Sequence, residues 1–317
     1  MRTHGILTSI ALATICSSIC LGDGAPQQAD ASILGRTFDL GAPRSRDPQS
    51  YEMETTVLTY ALDGKRVNKD VLRLWLKCTP GEDADQYTCT RFTVQFGTGP
   101  EVEVPAMAGW SYPFKGTDTG MDEKGQVFGI DHAKFEKLAD ANGQPLPVDK
   151  RYFVYNSFID FHAFCNVFAE PAKDGKGIQD LKHIGDKVVH AAAFTEAPVN
   201  LGAGIKKGST FKNGEVTLEF KGLSLVEGAP CALVAYDSGE SSFQMLMNPM
   251  PNMEVRSVGS SHYKGDIYVD LTTRWVRRVT MDELVVTESV VPGMANKINA
   301  VIERTTMIRH VGGKAGK

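Results

Sequence analysis

From Lys206 to His310 the chain is a succession of strand-like runs joined by short turns, with nothing between them long enough to be a crossover helix. Parallel neighbours need a connection of a dozen or more residues, so a sheet made from these runs has to be antiparallel. The clearest run is Val216, Leu218 and Phe220 alternating with Thr217, Glu219 and Lys221. It follows Asn213-Gly214 directly, a pair that favours tight hairpin turns. Further strands are expected at 231–237, 242–247, 253–258, 266–271, 274–289 and 299–310, with turns at Glu227-Gly228, Ser238-Gly239, Lys264-Gly265 and Thr272-Thr273.

The first half carries a smaller version of this pattern. Strands over 51–62 and 67–78 flank Asp63-Gly64, and two more near 90–96 and 101–105 complete a meander over 51–107. Residues 108–205 then read as a loop and helical insertion before the second meander, 206–311. A first helix is expected from Asp131 as N-cap to Asn142-Gly143. A stronger one runs from 149 to about 168, where Val154, Phe158, Phe161, Cys165 and Phe168 recur at steps of four, three, four and three. That spacing makes one apolar stripe, which needs a sheet to pack against. The fold class is therefore mainly β (α+β), an antiparallel sheet with a helical middle insertion packed on it.

The N-terminus reads as a signal segment over 1–22. Arg2 and His4 precede an apolar run from Ile6 to Cys16 that is too short and too rich in Ser and Thr for a comfortable bilayer span. Cleavage could follow Cys20, Gly22 or Ala31, and an uncleaved anchor helix is the alternative. Lipidation is disfavoured because Cys16 and Cys20 both follow Ile rather than a small residue. Residues 23–50, rich in Gly, Pro, Gln and Asp, read as a flexible linker, and 312–317 as a tail. The expected localisation is periplasmic or extracellular, with no integral membrane span once the signal is removed. A net charge of -4 without a basic cluster gives no reason to expect nucleic acid.

Export places the remaining cysteines, Cys78, Cys89, Cys165 and Cys231, in an oxidising compartment. Cys78 ends one strand and Cys89 opens the next, so a Cys78–Cys89 disulfide across the hairpin is the favoured pairing; two free thiols are the alternative. Cys165 and Cys231 pair by default or pack as small hydrophobes. No metal site is expected, because Cys-x-x-Cys and His-x-x-x-His spacings are absent. No cofactor is expected either: the run from Gly202 to Thr210 has Lys-Gly where a phosphate loop needs Gly-Lys, and it leads into a strand.

Among ionisable residues, Asp160 and His162 stand out because they interrupt the aromatic helix. They point about 200° apart, so each is expected on a polar or boundary side rather than in one acid–base pair. His183 and His190 could share a helical face, and His262 beside a turn could line a mouth of the sheet. Trp110, Tyr112 and Phe114, in a Gly/Pro-rich loop, either stack on a ligand or plug one end of the core.

Two segments of the second half resemble a known pattern. Leu225-Val226-Glu227-Gly228-Ala229-Pro230-Cys231-Ala232-Leu233-Val234 and then Gly265-Asp266-Ile267-Tyr268-Val269-Asp270-Leu271-Thr272-Thr273-Arg274-Trp275-Val276-Arg277-Arg278 are similar to exported bacterial β-sheet proteins of the lipoprotein-carrier kind. The resemblance covers about 211–311 and does not extend to the first meander or the middle insertion. It implies a curved antiparallel sheet or half-open barrel whose concave apolar face is covered by helices and holds an acyl chain or a hydrophobic segment.

The leading functional reading is accordingly a non-enzymatic exported protein that binds a lipid, an acyl chain or an envelope protein. Phe158, Phe161, Phe168, Trp110, Tyr112, Met245 and Met247 are its candidate contacts, thioethers being suited to adaptable apolar surfaces. One alternative is a secreted hydrolase or carbohydrate-active enzyme using Asp160, His162 and His262. Another is a structural or assembly role, with strand edges docking partners. Carriage requires an apolar cavity without convergent carboxylates, whereas an enzyme requires titratable groups that meet.

Overall fold

A computed structural model describes residues 35–114, 127–173, 175–190, 205–212, 214–250 and 252–312. The signal segment, the first part of the linker, Gly202 to Gly204, Asn213 and most of the tail lie outside the described residues. The chain divides into two compact units, Met1–Arg36 and Thr37–Lys317, and all the strands lie in the second.

The described residues form thirteen strands: β1 (Gln49–Tyr60), β2 (Arg66–Thr79), β3 (Asp85–Phe96), β4 (Val102–Glu103), β5 (Ser111–Phe114), β6 (Lys187–His190), β7 (Thr210–Lys212), β8 (Val216–Val226), β9 (Ala229–Asp237), β10 (Ser241–Met250), β11 (Met253–Asp270), β12 (Val276–Val290) and β13 (Ile298–His310). All pair antiparallel in one open sheet, ordered β4-β3-β2-β1-β13-β12-β11-β9-β8-β6. β5 joins the β3 edge, and β10 with β7 joins the free half of β11. The register aligns inward residues across strands: Met53 faces Leu74 on one side and Ile308 on the other, and all three are buried. Thr55 and Thr306 meet on the same face, their hydroxyls 2.9 Å apart.

The single α-helix among the described residues, α1 (Val148–His162), continues into a π-helical turn, Ala163–Val167. The expected stripe holds, since Val154, Phe158, Phe161, Cys165 and Phe168 are all buried. Phe158 stacks on Phe92 of β3, while Phe168 meets His190 of β6 edge-on at 5.4 Å. A flat sheet would place those strands eight spacings apart, about 38 Å. The two phenylalanines lie only about 15 Å apart along a helix, so the sheet curls towards α1. None of the described helices is long and apolar enough to cross a membrane.

Five expectations need correction. The linker does not run to residue 50: Leu40 is buried, Phe38 packs edge-on against Phe220, and Arg44 pairs with Glu170 and donates to the carbonyl of Cys165. A guanidinium at the carbonyl end of a helix answers both its free acceptors and its dipole. The first helix shrinks to a 3₁₀ turn, His132–Phe135, capped as expected by the Asp131 carboxylate accepting from the Ala133 amide; beyond it a small β-bridged turn replaces the helix. Lys264-Gly265 is not a turn but the middle of β11, one 18-residue strand where two were expected. Gly265 serves close approach instead. A Cβ there would lie 1.9 Å from the Thr280 carbonyl oxygen, and the space lets the Tyr236 hydroxyl reach that carbonyl at 3.0 Å. His183 and His190 share no helix, since His190 lies on β6 and exposed His183 pairs with Asp186.

The fifth correction is the disulfide. Cys78 and Cys89 are both buried free thiols. Cys78 lies opposite Tyr87 and Cys89 opposite Leu76, so the two are diagonal neighbours. Diagonal positions are about 7–8 Å apart, beyond the reach of an unstrained disulfide. Burial pushes both thiols up to about 12. Alkylation mapped by mass spectrometry should therefore leave both unmodified in the native protein and modify both in urea without reductant. A Cys78–Cys89 cross-linked peptide would contradict the register.

Candidate ligand cavity

α1 carries a second stripe beside the core-facing one. Tyr152, Asn156, Ile159 and Asp160, continued by Ala163 and Val167 of the π-helical turn, follow at helical spacing and line a cavity of about 300 Å³. The opposite wall comes from the concave face of the sheet, with Val57 of β1, Ile302 of β13, Val285 of β12, Tyr263 of β11 and Met245 of β10. These wall residues are largely half-buried, so the cavity opens to solvent. At one end Phe243 of β10 stacks on Phe211 of β7, and it lies across Gly259, where any Cβ would fall 2.5 Å from the ring.

Most of the lining is apolar, but its wall holds three charges. Glu283 on β12 and Arg304 on β13 stand opposite each other in register, and Arg304 Nε donates to Glu283 Oε2 at 2.6 Å. Asp160 reaches the same guanidinium from α1, accepting from Nη1 and, at 3.5 Å, from Nη2. The three side chains are 13%, 11% and 10% exposed for Arg304, Asp160 and Glu283. Burial lifts the Asp160 carboxyl to about 6; Arg304 pulls it down and the Glu283 charge pushes it further up. Burial also lowers the Arg304 guanidinium, but the two carboxylates more than offset this and leave it raised. Tyr152, beside the cluster, has its phenol pushed up to about 12 by burial.

His162 lies elsewhere. It is wholly buried and stacks on Phe114 at 4.5 Å. Its Nδ1 accepts from Asn166 Nδ2 at 3.3 Å, which leaves Nε2–H to donate to the Tyr112 hydroxyl at 2.7 Å. Asn166 Nδ2 donates in turn to the Tyr87 hydroxyl. Burial pushes the imidazole down to about 3, so it is neutral and serves as a structural connector. The boundary placement expected for Asp160 and His162 fails because both are buried, His162 among Tyr87, Tyr112 and Phe114 and Asp160 against Arg304 of β13. His262 sits on the exposed part of β11, 2.7 Å from Asp237. The three polar candidates thus occupy three separate places.

Of the apolar candidates, Phe168 and Met245 line the cavity, whereas Phe158 and Phe161 are buried in the core behind it. Met247 is half-buried on β10 and outside the lining. Tyr112 and Phe114, on β5 rather than in a loop, join the core, and Trp110 packs on Tyr112, Phe135 and Phe158. Glu283 and Arg304 were not singled out from sequence. A signal was present, because along β13 Arg304 falls in the alternation of Ile302, Thr306 and Ile308, a charge in an inward-facing row. Among the described residues no group of three or more His, Cys, Asp or Glu is placed to hold a metal.

No protein-family model and no curated protein matches the chain. Among solved structures, an exported protein of Bacteroides fragilis with a YMCC-like fold is similar over 87% of this chain and 99% of its own, at 10% identity and a TM-score of 0.25. OmpT, an outer membrane protein of Vibrio cholerae, covers 83% of this chain and 97% of its own, at 10% identity and a TM-score of 0.18. Similarities of this size carry no argument about what the present chain does.

Proposed function

We propose that this is an exported, non-enzymatic protein that holds an apolar ligand, an acyl chain or a comparable hydrophobic segment, between α1 and the curved sheet. The observation that carries the reading is the cavity itself, solvent-accessible and walled mostly by aliphatic and aromatic side chains. Its volume of about 300 Å³ stands at the lower end of small-molecule sites, which suits one chain or ring system rather than several. A half-open barrel filled by one helix is the form such a container would take. Asp160 and Glu283 do meet in the wall, where a carrier's cavity was expected to hold no convergent carboxylates; both are bound to a guanidinium that cannot relay a proton, so the pair is read as a fixed charge cluster rather than as an acid–base pair.

Native mass spectrometry of the protein purified from its own envelope tests this, together with titration by a fluorescent polyene fatty acid. A co-purifying lipid mass is expected, and Val285→Trp, which fills the cavity from β12, should weaken probe binding by about tenfold or more. A bare apo mass combined with no probe binding would overturn the reading and leave the structural or assembly role.

A further inference from the structure

Resting on the reading of the cavity as an apolar-ligand site, we propose that its ligand carries a cationic head, an ammonium or amidinium group, that docks at Asp160, Arg304 and Glu283 while the apolar body lies along α1. Two carboxylates answered by one guanidinium leave the cluster one negative charge in excess. The charges acting on Asp160 are those of Arg304 and Glu283. In a largely apolar enclosure an excess charge interacts far more strongly with an incoming ion than it would in water.

The geometry also argues against an anionic head. Each nitrogen of Arg304 already faces a carboxylate: Nε faces Glu283, and Nη1 and Nη2 face Asp160. A fatty-acid carboxylate would have to displace one of them and then sit beside the other. A cation needs no rearrangement, because it approaches the carboxylates from the cavity side. Tyr152 and Tyr263 line the same space within the field of Asp160, Glu283 and Arg304, and aromatic rings add to the binding of an ammonium group.

Calorimetric titration of the full chain with three twelve-carbon probes, dodecyltrimethylammonium, dodecanol and dodecanoate, all below their micellar concentrations, decides the matter. The cation should bind about tenfold tighter than the alcohol, and the anion weaker than the alcohol. Glu283→Gln and, separately, Asp160→Asn remove the excess charge, and each should bring the ratio of cation to alcohol affinity close to one. The order of affinities in the unsubstituted chain stands even if a variant fails to fold. Dodecanoate binding as tightly as dodecanol, or a cation preference untouched by both substitutions, would overturn the head-group assignment while leaving the apolar-ligand reading intact. No binding of any of the three would overturn both.

Discussion

Replacing Arg304 by methionine should destabilise the fold by about 3–5 kcal/mol at neutral pH, the usual cost of stranding a buried charge by removing its partner. Here two carboxylates are stranded at once, Asp160 and Glu283, each about nine-tenths buried. The sign of the pH dependence follows. Without the guanidinium, which lowers it in the native protein, burial and the Glu283 charge hold the Asp160 carboxyl protonated to still higher pH in the folded state. The variant's deficit is therefore largest at high pH and shrinks as pH falls towards about 6, where Asp160 of the native protein itself takes up a proton. Urea unfolding at pH 7 and pH 4.5 measures it. Replacing all three residues together, with Asp160→Asn and Glu283→Gln added, should recover most of the loss, since an apolar or neutral substitute for a whole buried ion cluster is often tolerated. A deficit below about 1 kcal/mol in the single variant would mean that water reaches the cluster freely.

The second large effect lies at His162. The unfolded chain protonates this imidazole below about 6.5, whereas burial keeps the folded form neutral to about 3. Between those values the unfolded state binds the extra proton, so this residue's contribution to stability falls by about 1.4 kcal/mol for each unit of acidification, about 5 kcal/mol in all. Asp160 works in the opposite direction between about 4 and 6, because there it is the folded state that holds the proton. The native protein can therefore look insensitive to pH in that window. His162→Phe keeps a ring on Phe114 but removes the titration and leaves the Tyr112 hydroxyl without its partner, a constant cost of about 1–3 kcal/mol. Against that offset, the variant should gain about 2 kcal/mol on the native chain between pH 6.5 and pH 5. Parallel unfolding curves at all pH values would show that His162 is protonated in the folded state.

What could be read from sequence was whatever depends on local period and turn chemistry. Alternation located the start of β8 and both ends of β9, β12 and β13 within two residues, and the aromatic stripe located α1. What could not be read was set by distant partners. The Cys78–Cys89 bridge failed on a register offset that only the paired strands reveal. Asp160 and His162 looked like boundary residues because a helix in isolation has a polar side; here distant segments, Arg304 for one and Tyr112 with Phe114 for the other, cover both residues. The cavity charges come from β12, β13 and α1, so their convergence depends on a topology that no single segment encodes. Gly265 misled for the opposite reason, since a glycine that marks turns by habit here lets a tyrosine cross a strand.

The sheet has one seam with a kinetic consequence. β1 pairs with β13, joining Thr55 to Thr306 across 251 positions, and these two strands sit at the centre of the strand order. Closing so long a loop carries a large entropic cost before any contact repays it, and topologies ruled by such distant pairings fold slowly. The first meander can form its hairpins early, but the β1 edge stays unpaired until β13 has been synthesised. A chain with this connectivity stays incompletely folded for as long as it is being made, the condition in which a polypeptide can still be threaded through a membrane.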